Sequence, residues 1–100
     1  METQDNSALH DKLVRETGRI AWTELQTYFA TGAVIYVSDS LDLIDVAMRI
    51  SQDDKAAVAQ WMQARRLGKV SDEQAAEWLE MDATVWSVVV SPWILVQPAA

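Results

Sequence analysis

Residues 84–96, Thr84-Val85-Trp86-Ser87-Val88-Val89-Val90-Ser91-Pro92-Trp93-Ile94-Leu95-Val96, decide the fold of this chain. Aromatic and β-branched side chains dominate the stretch, and both of its alternating sets of positions are apolar, the pattern of a strand covered on two faces. Pro92 has no amide hydrogen to give to a ladder, so it either separates two strands or sits at a bulge or edge of one. A two-residue Ser-Pro connection lacks the positive-φ residues that tight hairpins prefer, and the expectation is therefore one long bent strand.

Working back along the chain, Ala33-Val34-Ile35-Tyr36-Val37 is a second apolar, β-branched run, bounded by Gly32 and by Ser38-Asp39-Ser40. It reads as a buried strand. The remaining segments read as helices. Leu9, Leu13, Glu16 and Ile20 stand at helical spacing, and Gly18 ends or kinks that helix. Thr23 stands three residues before Gln26, a capping-box spacing, and Gly32 occupies the position of a left-handed C-terminal cap. Asp39 or Ser40 caps a helix with the stripe Leu43, Val46, Ala47 and Ile50, in which Asp45 and Arg49 form an i,i+4 pair. After a fresh cap within Ser51-Gln52-Asp53-Asp54, with Asp53 at the cap and Asp54 following it, another helix turns Val58, Trp61 and Met62 inward, carries Arg65 and Arg66 in its last turn and stops at Gly68. Lys69-Val70 reads as a brief strand, and Ser71 with Gln74 makes a further capping box before the helix bearing Ala75, Trp78 and Leu79. The architecture expected is α+β: a single domain over residues 8–100, with a small sheet covered by about five short helices, behind a flexible tail at residues 1–7.

Composition narrows the function classes. A chain of 100 residues, half of them apolar and 23% charged, has the balance of one globular domain. No apolar run approaches the length of a membrane span, and the polar, acidic start is not a signal peptide. Cysteine is absent, which removes thiolate chemistry and disulfides and suits a cytoplasmic protein. Fifteen acids against eight bases give a net charge of −7, which disfavours a nucleic-acid backbone as partner.

The segments Ile20-Ala21-Trp22-Thr23-Glu24-Leu25, Phe29-Ala30-Thr31-Gly32-Ala33-Val34, Leu41-Asp42-Leu43, Lys69-Val70-Ser71-Asp72 and Val88-Val89-Val90-Ser91-Pro92-Trp93 resemble a family of small bacterial proteins catalogued as domain of unknown function 2288. The likeness runs from about Leu9 to Gln97. It implies a bacterial protein with one domain, and no activity, because the shared motifs are structural in character.

Candidate chemistry is sparse. His10 is the only histidine and lies beside the tail with no nucleophile near it in sequence, so no catalytic residue is assigned. Asp39, Asp42, Asp45, Asp53 and Asp54 suggest hard-cation ligands, but their positions suit helix caps and first turns, and no metal or cofactor is expected. Arg65, Arg66 and Lys69 form one basic cluster that could contact an anion, although cations near a helix end beside a glycine are ordinary. The five tryptophans, Trp22, Trp61, Trp78, Trp86 and Trp93, either all line one core or leave at least one facing a partner, with Trp93 the first candidate.

These residues point to a non-enzymatic protein–protein interaction or scaffold protein. It would dock an unknown protein partner, or form a homodimer through the C-terminal strand, using Trp86, Pro92, Trp93 and Leu95. Two other classes stay open: a winged-helix-like nucleic-acid-associated module, and a small enzyme with acids at a subunit interface.

Overall fold

The computed structural model describes residues 7–99. In chain order the elements are α1 (Ser7–Glu16), β1 (Gly18–Ala21), a 3-10 turn (Trp22–Leu25), α2 (Gln26–Ala30), β2 (Val34–Val37), α3 (Leu43–Ser51), α4 (Lys55–Gln63), β3 (Leu67–Lys69), α5 (Asp72–Glu80), β4 (Thr84–Val90) and β5 (Trp93–Pro98). The fold is α+β, as the patterning predicts. The expected tail lies outside the described residues except for Ser7, which opens α1.

The five strands form one mixed sheet in the order β1-β4-β5-β2-β3. β5 runs antiparallel to β4 and parallel to β2, so the C-terminal strand sits inside the sheet. This corrects the expectation of one long bent strand. Ser91-Pro92 is instead the turn of a hairpin, with a cis peptide between the two residues, and Val90 faces Trp93 while Val88 faces Leu95. The pairing is favourable because each apolar run satisfies the backbone of the other, and Pro92 sits where no ladder bond is required. Both edges of β5 are thus paired within the chain.

Alternation along the strands divides the core between two faces. On one, Val37, Leu67, Val88, Val90 and Leu95 meet Leu13 of α1 and Leu43, Val46 and Ala47 of α3. On the other, Val34, Val85 and Val96 meet Trp22, Leu25, Ala75 and Trp78. Trp22 has no exposed surface; its ring stands edge-on to Trp78 at 4.9 Å and to Phe29 at 5.7 Å. The two-sided apolarity of residues 84–96 is thus answered by helices on both faces.

Several local expectations are corrected. Gly18 begins a strand, β1, that pairs with β4, and does not simply end a helix. Thr23 and Gln26 form no capping box, since a 3-10 turn leads directly into α2 without a side-chain cap. Asp42, not Asp39 or Ser40, caps α3 by accepting the amide hydrogens of Ile44 and Asp45. Ser71 caps α5 through the Gln74 amide, as expected. The chain after α4 enters the edge strand β3 and then α5.

Helices α2 to α5 end alike. The first residue past each cap has positive φ and donates to the second-last helical carbonyl, and the next residue donates to the carbonyl one position further back, the Schellman arrangement. Gly32 (φ 78°) fills the left-handed position after α2, but Asp53, Arg65 and Asp82 fill it after α3, α4 and α5. Arg65, rather than Gly68, therefore stops α4, and neither Arg65 nor Arg66 lies in its last turn. Gly68 is a strand residue opposite Tyr36.

Two substitutions with opposite signs follow from this. A Cβ on Gly32 would meet only Lys69 Nζ, at an ordinary 3.5 Å, so the cost of Gly32→Ala is conformational. Urea titration should show Gly32→Ala less stable by about 1 kcal/mol and Arg65→Gly more stable by roughly 0.5–1 kcal/mol. Shifts of the same sign would contradict the left-handed caps.

Candidate functional site

α4 holds the core more loosely than its neighbours. None of its residues is fully buried: Val58 and Trp61 are half-buried against the sheet, and Met62 is 54% exposed, where an inward orientation was expected. Its setting follows from the tight turn after α3. Asp53 takes the left-handed position, and Asp54 then caps α4 by accepting the Ala57 amide at 3.1 Å. Arg49 reaches over from α3 to donate to the same carboxylate, Nη1 to Oδ2 at 2.9 Å, with its Nε 3.7 Å from Asp45. The Ala57 amide and then the Arg49 guanidinium hold the Asp54 carboxyl below the usual aspartate range. Arg49 is raised in turn, chiefly by its hydrogen bond to Asp54.

Between α4 and the sheet edge lies a hollow of about 410 Å³, lined by Ile35, Leu67 and Trp93 of the strands and by Val58, Ala59 and Met62 of the helix. Ile50, Asp53 and Trp93 also line a second hollow of about 490 Å³, shared with α1 and the Ser91-Pro92 turn, where Lys12, Glu16 and Ser51 appear. The two hollows therefore adjoin at Trp93. Together they make a trough that is apolar beside α4 and polar beside α1. Lys69 lines the apolar end; it lies opposite Ile35 in the ladder, is exposed and makes no ion pair among the described residues.

The residues singled out from the sequence are divided by the fold. Pro92 and Trp93 line the trough. Leu95 has no exposed surface, because its side chain points into the core shared with α1 and α3, so it is removed from the docking candidates. Trp86 is 37% exposed but sits four positions along the hairpin from Val90, roughly 13 Å away, where Arg19 lies 5.2 Å over its ring. Of the basic cluster, Lys69 belongs to the trough, while exposed Arg65 and Arg66 do not line it. The sequence reading placed Ile35 and Ile50 in a strand and a helix stripe but assigned neither them nor Ala59 or Leu67 to a docking site, and the α4 stripe Lys55, Val58, Ala59 and Met62 was the available signal.

The acids do not converge. Asp42 and Asp54 serve as caps, and among the described residues no three His, Asp or Glu side chains stand close enough to hold a metal ion. His10 is exposed on α1, its Nδ1 3.8 Å from Asp11. No helix among the described residues is long and apolar enough to cross a membrane.

Comparison with known proteins places the chain in context. The profile of a family described as "Protein of unknown function (DUF2288)" matches residues 8–98. The NMR solution structure of PA1075 from Pseudomonas aeruginosa is similar at 43% identity and a TM-score of 0.83, with 100% of this chain and 93% of that one covered. No curated protein matches the chain.

The Asp54 contacts have a pH signature. Its folded carboxyl titrates below the unfolded value of about 3.9, so its contribution to stability is present above that value and is lost as pH falls through the lower folded value. Asp54→Asn should therefore be less stable than the parent near neutral pH, by an amount that shrinks as pH drops below about 4 in paired urea titrations. A deficit that stays constant with pH would rule out the Asp54 charge as its source.

Proposed function

The chain belongs to the DUF2288 family of proteins of unknown function, and on that premise we propose that it is a non-enzymatic protein–protein interaction module that docks a partner in the trough at Trp93. The observation that carries this is the apolar hollow under α4, where half-buried Trp93 and exposed Met62 line open space. Aromatic residues and methionine are enriched at the centres of interfaces, because they offer much apolar area, and the unbranched thioether of methionine adapts to varied partners. A polar stretch continues from the hollow past Trp93, which suits the wetter rim of such a surface.

Self-association is the form this takes if the partner is a second copy. Both edges of β5 are occupied, so that copy would enter the trough or add to the outer edge of β1 or β3. An enzyme built on the acids has weaker support, since Asp54 is engaged by Ala57 and Arg49 and Asp42 by Ile44 and Asp45.

A site-specific cross-linking experiment tests the proposal. A photo-reactive amino acid at Met62 should yield a discrete adduct with one polypeptide in cells. The same residue at Leu79, exposed on α5 on the opposite side of the sheet, should not. Val58→Arg should abolish the adduct while leaving the circular dichroism spectrum unchanged. Equal labelling from both positions, or labelling that survives Val58→Arg, would count against the trough.

A further inference from the structure

The trough also carries information about what its occupant is made of. Three of the chain's eight bases, Lys12, Lys55 and Lys69, line it beside three acids, Glu16, Asp53 and Asp54, in a protein whose net charge is −7. Their surroundings differ. At the α4 end, Asp54 is taken up by Arg49 at 2.9 Å, and Lys55 lies 4.0 Å from Asp53. Lys69 is left as the cation of the apolar hollow without an acid among the described residues. It lines the hollow with Ile35, its ladder partner, and Leu67, and its Nζ lies near Gly32. An ammonium on an apolar rim attracts a carboxylate more strongly than one in open water, because the hollow keeps the local dielectric low.

Shape restricts the occupant further. Two hollows of about 410 and 490 Å³ adjoin at Trp93, apolar on one side and polar on the other. A compact ligand would fill one and leave the other empty, whereas an extended chain uses both. The outer edge of the sheet beside the apolar hollow is β3, which pairs only with β2, so the hollow opens at the sheet margin.

From these observations, and resting on the docking function proposed above, we propose that the trough takes an extended segment of a partner protein. Its apolar side chains seat on Trp93 between Val58 and Met62, and a carboxylate at the end of that apolar stretch pairs with Lys69. The polar continuation of the segment passes along Ser51 and Lys12. In an acidic chain, this pairing offsets the repulsion that an acidic partner meets from the net charge.

The test uses the full chain and a fluorescein-labelled peptide, Glu-Ser-Leu-Val-Leu-Ser, beside a counterpart with Lys in place of Glu, read by fluorescence anisotropy at about 0.15 M salt. The acidic peptide should bind, and Lys69→Glu should weaken it by about fivefold, the range of a partly exposed ion pair and its reversal. The lysine peptide should regain on Lys69→Glu what the acidic one loses. Arg66→Glu, an exposed charge outside the trough lining, should change either affinity less than twofold, since at about 0.15 M salt charges separated by more than the Debye length of ~8 Å are largely screened. Absence of binding by the acidic peptide, indifference to Lys69→Glu, or an equal effect of Arg66→Glu would each overturn the inference. Failure here is separable from failure of the docking function: a Met62 cross-link blocked by Val58→Arg but untouched by Lys69→Glu leaves the trough as the docking site and removes only its preference for an acid.

Discussion

The parallel pairing of β2 with β5 is the constraint on which the rest of this structure depends. It joins Val34, Ile35 and Tyr36 to Ile94, Leu95 and Val96, and every element from α3 to β4 lies in the chain between them. Parallel neighbours demand a crossover, and parallel strands are stable when both faces are covered. The covering is divided between α1, α3 and α4 on one face and the Trp22 turn, α2 and α5 on the other. Gln97 reinforces the closure: its side-chain amide donates to the carbonyls of Ser38 at 2.9 Å and Leu41 at 2.7 Å, tying the end of β5 to the loop that leaves β2. With β5 fixed this way, Trp93 at its start is fixed too, and the trough inherits its floor.

The acids of this chain are largely structural in their placement. Asp42 and Asp54 accept amide hydrogens at helix starts, while Asp53 and Asp82 occupy left-handed positions at helix ends, where a short polar side chain is tolerated better than most. The strongly acidic balance thus coexists with a core that has no buried charged residue among the described residues. Where acid and base do meet closely, at Arg49 and Asp54, the contact links the end of α3 to the cap of α4 across the turn beside the hollow.

Much of the fold was legible in the sequence because it depends on local pattern. The β-branched run at residues 34–37, the Gly32 cap, the Ser71 cap and the Asp45–Arg49 pair all rest on neighbouring residues, and all are present. What escaped depends on distant partners. Four residues at Gly18–Ala21 carry no strand signal of their own and become β1 because β4 offers them an edge. The Ser91-Pro92 hairpin departs from the usual turn chemistry, and the apolar partners on either side of it outweigh that preference. Arg65 in a left-handed conformation likewise defies propensity, since closing α4 over the sheet leaves no residue slot for Gly68 to do it. For the site, Trp93, Pro92 and Lys69 stood out by type, but Leu95 was misplaced because burial on a central strand cannot be told from exposure on an edge by composition. Met62 and Val58 read as an inward stripe, and the spacing of a helix says nothing about how far it stands from the surface beneath it.

The central position of β5 has a consequence for how the molecule is made. Synthesis proceeds from the N-terminus, so β2 emerges early with one flank taken by β3 and the other bare, and the strand that belongs there is the latest of the five described strands to appear. Until Trp93–Pro98 has cleared the ribosome, neither apolar face has a continuous floor on which its helices can settle. Assembly is therefore held back to a late, largely all-at-once event governed by contacts between remote parts of the chain, the regime in which folding is slow and an open strand flank is most at risk of joining a neighbouring molecule.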